Sequence, residues 1–426
     1  MSNASPLRVC VCGGGNGAHM MAVLAASRPD TEVKVLTLFQ DEAERWSKAL
    51  EKGEMTITYS KEEGKNQPDD HAKPAAVSKE ASEVVPGSDI VLFIVPAFAH
   101  EEYLKAIAPY VNKKTVIVGL PGQPGFEFQC KNVNGQNMVE ECTIMSFETL
   151  PWACRIKEFG QTVDCLGVKK YLAGSILRGK AVPRKPPLMS LQALLGPAPE
   201  IKQVKHFLEI LLMSYSFVHP AILFGKWKDW DGKPVNSEPL FYQGIDEFTA
   251  NFMTECSKEF LDVAHAIMAQ RPNVDLNAVQ DIYEWYLTYY KDDIEDPSSL
   301  LQAIRTNKSY KGLVHPMKKV KNKFEPNFQS RYLTEDIPMG LVVFKGVAQI
   351  VGHQTPNNDL LLEWGQKKIG KVYLVNGKLD GKDVAETRCP QRYGIETLDD
   401  LLNGKKIPPP IPVFEITGTE ISDSAS

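Results

Sequence analysis

One stretch near the start constrains the chain more than any other. The apolar run Leu7-Arg8-Val9-Cys10-Val11-Cys12 breaks into Gly13-Gly14-Gly15-Asn16-Gly17-Ala18, and helix-compatible residues continue to Ser27. Gly13, Gly15 and Ala18 stand at the G-x-G-x-x-[GA] positions, so the spacing predicts the strand–turn–helix of a dinucleotide-binding unit. Gly13 can take the backbone angles of a tight turn. Gly15 carries no side chain to hold a pyrophosphate away from the main chain, and Ala18 lets the helix lie close on the strand. With Asn16 and Gly17, the helix N-terminus offers free N–H groups and partial positive charge to an anion. A chain with such a start is expected to build a parallel sheet.

At 426 residues the chain is too long for one ordinary core, so two domains are the default. A net charge of −5 gives no reason to expect nucleic acid or an anionic membrane as a partner. No apolar run approaches the roughly 20 residues needed to span a bilayer. The opening Met1-Ser2-Asn3-Ala4-Ser5-Pro6 lacks the charged and apolar regions of a signal peptide. Eight cysteines are scattered without C-x-x-C spacing, so they read as small apolar core residues in a reducing cytoplasm, with no metal site.

Further along, Glu32–Leu38 reads as a second strand and Asp41–Glu51 as a helix. Lys61–Lys73 reads as a polar surface insertion. The run from Asp89 to Pro96 is continuously apolar, as a parallel strand covered on both faces should be. Strand-like Thr115–Gly119 and Cys142–Phe147 follow, with a helix-like crossover at Ala99–Tyr110 between. This alternation predicts a Rossmann-type, doubly wound α/β domain over residues 1–198. Ligands of such sheets lie beyond the carboxyl ends of the strands. The loops Gly13–Gly17, Pro96–His100, Pro121–Gly125 and Glu148–Cys154 are therefore expected to face one crevice.

The pattern changes near residue 200. Helical periodicity runs from Glu200 to Met213, and from Glu238 through Phe241, Ile245, Phe248, Phe252 and Phe260. Asp275 is a plausible N-cap for a helix reaching Tyr290, and Ser298 for one reaching Thr306. Residues 199–405 are expected to form an all-α domain, with an active site in the cleft between the domains. A loose tail is expected over 406–426.

Two groupings in the second half could carry chemistry: Phe217-Val218-His219-Pro220-Ala221, and the segment from Arg331 to Leu341 that contains Asp336. An imidazole held by a carboxylate is a standard acid–base pair, because the carboxylate fixes the tautomer. By residue type alone, His219 reads as readily as a structural histidine, and Asp336 before Ile337-Pro338 as a helix cap.

The chain resembles the opine dehydrogenases, in particular their octopine dehydrogenase-like invertebrate members. The resemblance runs from Gly13 to about Leu402 and rests on ordered motifs. These are Gly13–His19, Val95-Pro96-Ala97, Gly119-Leu120-Pro121-Gly122-Gln123, Glu148-Thr149-Leu150-Pro151, Val218-His219-Pro220 and Arg331–Gly340. It implies a reductive condensation, in which pyruvate and an amino acid or taurine form an imine and NADH delivers hydride. In working muscle this regenerates NAD without oxygen. It further implies His219 as the acid–base group, Asp336 as its partner, and Arg331 reaching across to the cofactor pyrophosphate. Pro96 would border the cofactor. Gln123, Thr149 and Cys154 would line the substrate pocket, with Met213 and Trp285 on the opposite wall. The family's invertebrate members are commonly monomers, and no heptad pattern here argues otherwise.

The second strand-like run ends in Leu38-Phe39-Gln40, without the acid that often bonds the ribose 2′-OH. NADH against NADPH is therefore open from the residues, and NADH is the expectation from the resemblance. Among the acids near Cys154, Met213 and Trp285 in sequence, only Glu284 stands out, which tilts the expected amine towards a small or sulfonated one. A competing class is a dehydrogenase of a preformed alcohol on the same outline, such as glycerol-3-phosphate dehydrogenase. Those enzymes use a lysine of the helical domain as acid, and no lysine here stands in the matching context. A cofactor-sensing protein on the same fold is the non-enzymatic alternative.

Overall fold

The computed structural model describes residues 5–59, 68–133 and 138–406. The tail expected beyond Lys406 and the insertion residues up to 67 lie outside that range. Twelve strands form in the first half: β1 (Leu7–Cys12), β2 (Thr31–Leu36), β3 (Met55–Tyr59), β4 (Asp70–Ala72), β5 (Ala76–Ser78) and β6 (Ile90–Phe93). They continue with β7 (Val116–Gly119), β8 (Thr143–Phe147), β9 (Trp152–Glu158), β10 (Thr162–Val168), β11 (Tyr171–Leu177) and β12 (Glu200–Gln203). Eight of them make the main sheet, in the order β12-β11-β8-β7-β6-β1-β2-β5. From β8 to β5 the pairs are parallel, and β11 turns antiparallel against β8.

Both faces of this sheet are covered, which explains the uninterrupted apolar runs. Along β1 the side chains alternate. Val9 and Val11 join one core with helix α1 (Asn16–Ala26), while Cys10 and Cys12 join another with Leu104, Ile117 and Phe126.

A second sheet, in the order β4-β3-β10-β9, was not expected. It flanks α1 and takes in Cys154, which lies in strand β9 where the sequence suggested a loop. Residues 200–203, expected to begin a helix, instead pair with β11, so the main sheet continues through Gln203.

The second half packs helices around one large apolar core. Its long elements are α2 (Val218–Trp227), α3 (Glu247–Gln270), α4 (Ile282–Tyr289), α5 (Val342–Val351) and α6 (Pro356–Ile369). A hairpin of Met317–Val320 with Lys323–Pro326 interrupts them. Asp281 rather than Asp275 caps α4, its Oδ1 accepting from the N–H groups of Tyr283 and Glu284 at 2.8 and 3.0 Å. Ser299 likewise caps Leu300–Arg305 in place of Ser298.

Asp336 stands immediately before a wide π-turn, Ile337–Leu341, that runs into α5. At Gly340 an added Cβ would lie 2.3 Å from Cβ of Ser216. The missing side chain lets this turn approach the segment that leads into His219.

Candidate active site

The glycine turn has the geometry its composition suggested. Gly13 takes φ +129°, and a Cβ there would lie 2.5 Å from the carbonyl oxygen of Ile94. A Cβ at Gly15 would meet nothing within 4 Å, so open space lies over the N-terminus of α1. These two features suit a pyrophosphate resting on main-chain N–H groups. Ala18 is fully buried, and Asn16 turns its Oδ1 to accept from the N–H of Ile156 at 2.9 Å, tying the turn to β9.

His19, which closes the quoted Gly13–His19 motif without an assigned role, pins the same turn. Its Nε2 accepts from the N–H of Gly160 at 3.0 Å, which leaves Nδ1–H to donate to the carbonyl of Gly15 at 3.1 Å. The ring stacks on Trp46 with centroids 3.7 Å apart, and burial pulls its pKa down to about 4.

A cavity of about 510 Å³ opens beside this turn. All four loops singled out by sequence reach it, through Gly15, Asn16, Gly17, Pro96, Gln123 and the stretch from Glu148 to Cys154. From the helical domain, Arg331 and Glu335 close its rim. Gln123 holds φ +63°, an uncommon conformation for a residue with a side chain, at the point where its loop folds back over the sheet. Burial raises the Cys154 thiol to about 11, so it presents a neutral surface to the cavity. Met213 and Trp285 are not among the lining residues. Met213 is buried in the helical core, and Trp285 is half-buried with its ring centroid 5.3 Å from that of Tyr215.

The structure brings His219 and Asp336 together. Nδ1 of His219 lies 2.7 Å from Oδ2 of Asp336, although the two residues are 117 apart in sequence. A carboxylate there accepts the Nδ1 proton and leaves Nε2 as the working atom. Nε2 faces the hydroxyl of Tyr242 at 2.8 Å, and Tyr332 stacks on the ring at 4.1 Å. Burial raises the pKa of Asp336, while the facing imidazole opposes that rise. Neither His219 nor Asp336 lines the cavity; Arg331 and Glu335, on the same segment as Asp336, do.

Glu335 already bridges the domains. Its Oε1 accepts from the N–H of Ala97, next to Pro96, at 2.9 Å, and its Oε2 accepts from Nε of Arg331 at 2.6 Å. The Arg331 side chain stays 64% exposed at the rim. Glu335 was overlooked because nothing in its residue type marks a bridging role.

Glu148 is the other omission, although it opens one of the quoted motifs. It lines the cavity and is largely buried, and burial raises its pKa. Oε1 receives the N–H of Ala173 at 3.3 Å, and the side chains of Trp285 and Tyr289 approach the carboxylate as further donors. Glu284, the acid that sequence proximity had suggested, is exposed. No group of three or more His, Cys, Asp or Glu suited to a metal ion occurs among the described residues.

A family model described as NAD/NADP octopine/nopaline dehydrogenase, alpha-helical domain, matches residues 203–369. Octopine dehydrogenase of Pecten maximus is 58% identical over 400 residues, which cover 94% of this chain and 100% of that protein. The chain belongs to the octopine dehydrogenase family. Tauropine dehydrogenase of Arabella iricolor is 46% identical over 395 residues, 92% of this chain and 99% of its own length. A solved structure of octopine dehydrogenase with NADH and L-arginine matches with a TM-score of 0.90 at 58% identity, covering 94% of this chain and 99% of that one. A member of this family is an NAD-dependent oxidoreductase acting on CH–NH groups, and it condenses pyruvate reductively with an amino compound. The fold is the expected Rossmann-type domain followed by a helical one. The alternative of a dehydrogenase for a preformed hydroxy compound is not favoured.

Proposed function

We propose that this opine dehydrogenase takes an amino acid with a cationic far end, arginine being the simplest, and that His219 and Asp336 form its acid–base pair. The observation carrying the amine choice is Glu148. A carboxylate on the wall of a substrate cavity, with burial working against its charge, favours a ligand that brings positive charge, and a guanidinium brings a planar pair of donors. This reverses the tilt towards a small or sulfonated amine. The arginine named in the solved relative and the 58% identity to octopine dehydrogenase support the same choice.

Bound NADH supplies the hydride. The chain's residues position the partners and manage the proton. Reduction at the former keto carbon leaves charge on the attached nitrogen or oxygen, and an imidazolium Nε2–H nearby lowers that barrier. Asp336 holds the ring in the tautomer that leaves Nε2 free for this work. Because His219 stands outside the cavity and Arg331 at its rim, we assign Arg331 the task of drawing the domains together. Its guanidinium would exchange Glu335 for pyrophosphate oxygens, bringing the imidazole to the substrates. Closure would also exclude the water that hydrolyses an imine. Gln123, Thr149 and Cys154 border the keto acid in this reading, with Trp285 facing Glu148 from the helical side.

The proposal places a monomer in the cytoplasm. All eight cysteines are buried thiols, as a reducing compartment allows, and no described helix is long and apolar enough to cross a membrane. A panel of arginine, alanine, glycine, β-alanine and taurine tests the amine. Arginine should lead in kcat/KM, and Glu148→Gln should cost it roughly 10- to 100-fold, the worth of one charged hydrogen bond. Preference for taurine or alanine in the unaltered enzyme would overturn the assignment.

A further inference from the structure

Lys169 lies in the turn between β10 and β11, behind the cavity wall that Thr149 forms. Its own N–H donates to the carbonyl of Pro151 at 3.0 Å, so the turn is tied to the Thr149-Leu150-Pro151 loop. Its Nζ donates to Oγ1 of Thr149 at 3.2 Å. The side chain is largely out of water: burial pulls its pKa down, and the nearby carboxylate of Glu148 opposes that pull. Thr149 lines the cavity and Lys169 does not.

The direction of this hydrogen bond has a chemical consequence. An ammonium carries three protons and no lone pair, so the hydroxyl of Thr149 must accept. A hydroxyl that accepts from behind keeps its single proton for another partner. That proton is then free to point into the cavity, where an acceptor oxygen can meet it. We propose that Lys169 is a positioning residue: it fixes the Thr149 hydroxyl as a donor aimed at a carboxylate or carbonyl oxygen of the keto acid. Its charge, held one layer behind the wall, favours an anionic group at that place. The inference rests on the reading of Thr149 as a keto-acid contact, and the two are separable by experiment.

A double-mutant cycle makes the separation. Thr149→Val should raise the pyruvate KM about tenfold, the loss of one hydrogen bond to a charged group. Lys169→Met should raise it by a similar factor while leaving the NADH dissociation constant, read by fluorescence titration, within about twofold of wild type. The double variant should be no more than about twofold worse than Thr149→Val, because the lysine acts through the threonine. Lys169→Gln retains a neutral donor and should recover part of the loss, which a merely packed side chain would not show.

If Thr149→Val leaves the pyruvate KM unchanged, the keto-acid reading of Thr149 fails and the proposal falls with it. If Thr149→Val acts but both Lys169 variants do not, only the positioning role is overturned. Multiplying effects in the double variant, or parallel loss of NADH and pyruvate binding on Lys169 substitution, overturn it as well.

Discussion

At the scale of single residues, the account turns on which atom carries the proton. Asp336 accepts the Nδ1 proton of His219, so removing the carboxylate frees the ring to take the other tautomer and to rotate. His219→Ala should lower kcat by about 10²–10⁴-fold, the usual worth of a positioned acid. Asp336→Asn should lose a comparable share while NADH still binds. Steady-state kinetics beside a fluorescence titration of NADH check both, and near wild-type turnover in either variant contradicts the assignment. These two residues were legible only through a family resemblance. By type alone they were an ordinary histidine and a helix cap, because their pairing depends on Gly340 letting one turn press against Ser216. Tyr242 and Tyr332, which flank the same imidazole, left no signal, since aromatic residues in a helical domain read first as core. Glu148 was visible in its motif, but the burial of its carboxylate on the cavity wall is a property of the fold.

At the scale of elements, the glycine turn was the most legible part. Its requirements are local: a left-handed backbone at Gly13, open space at Gly15, and close packing at Ala18. The parallel strands were legible for a similar reason, since burial on both faces leaves continuous apolar runs. The second sheet was not. Strand β10 pairs with β3 about a hundred residues earlier, and β9 carries Arg155, Lys157 and Glu158 among its apolar positions. Short strands joined across such distances give no periodicity to read. The segment from Arg331 to Asp336 is the element that links binding to chemistry, because six consecutive residues, a helical turn and its end, carry the rim arginine, the bridging Glu335 and the imidazole's partner. Arg331→Ala should therefore weaken NADH binding and abolish the compaction expected when NADH binds. Small-angle scattering with and without NADH reads the second effect, and undiminished compaction in the variant rules the role out.

For the whole molecule, four imidazoles lie buried where protons are unwelcome. Burial holds His19 and His206 at about 4 and His315 at about 3, and burial beside the Arg388 guanidinium puts His100 well below its ordinary value. The unfolded chain takes up these protons below about pH 6.5, and the folded protein only near pH 4 or lower. Their contribution to stability is thus complete above about pH 6.5 and declines as pH falls towards 4, at up to about 1.4 kcal/mol per pH unit for each ring. Glu127 works with the opposite sign. Burial pushes it up to about 7, so its proton favours the folded state between roughly pH 7 and 4.5. Glu148 and Asp336, also raised by burial, act with Glu127, but four imidazoles outnumber three carboxyls, so the urea midpoint should fall between pH 7.5 and 5. A midpoint that holds or rises over that interval contradicts this balance.

The same architecture sets the central claim: two domains close one cavity around cofactor, keto acid and amine, with the acid supplied from the helical side. The most direct measurement is NADH oxidation with pyruvate, recorded with and without an added amino acid and followed by mass analysis of the product. The account predicts negligible oxidation with pyruvate alone, rapid oxidation once arginine is added, and one secondary amine formed per NADH consumed. Oxidation at the same rate without any amine, giving lactate, would contradict it.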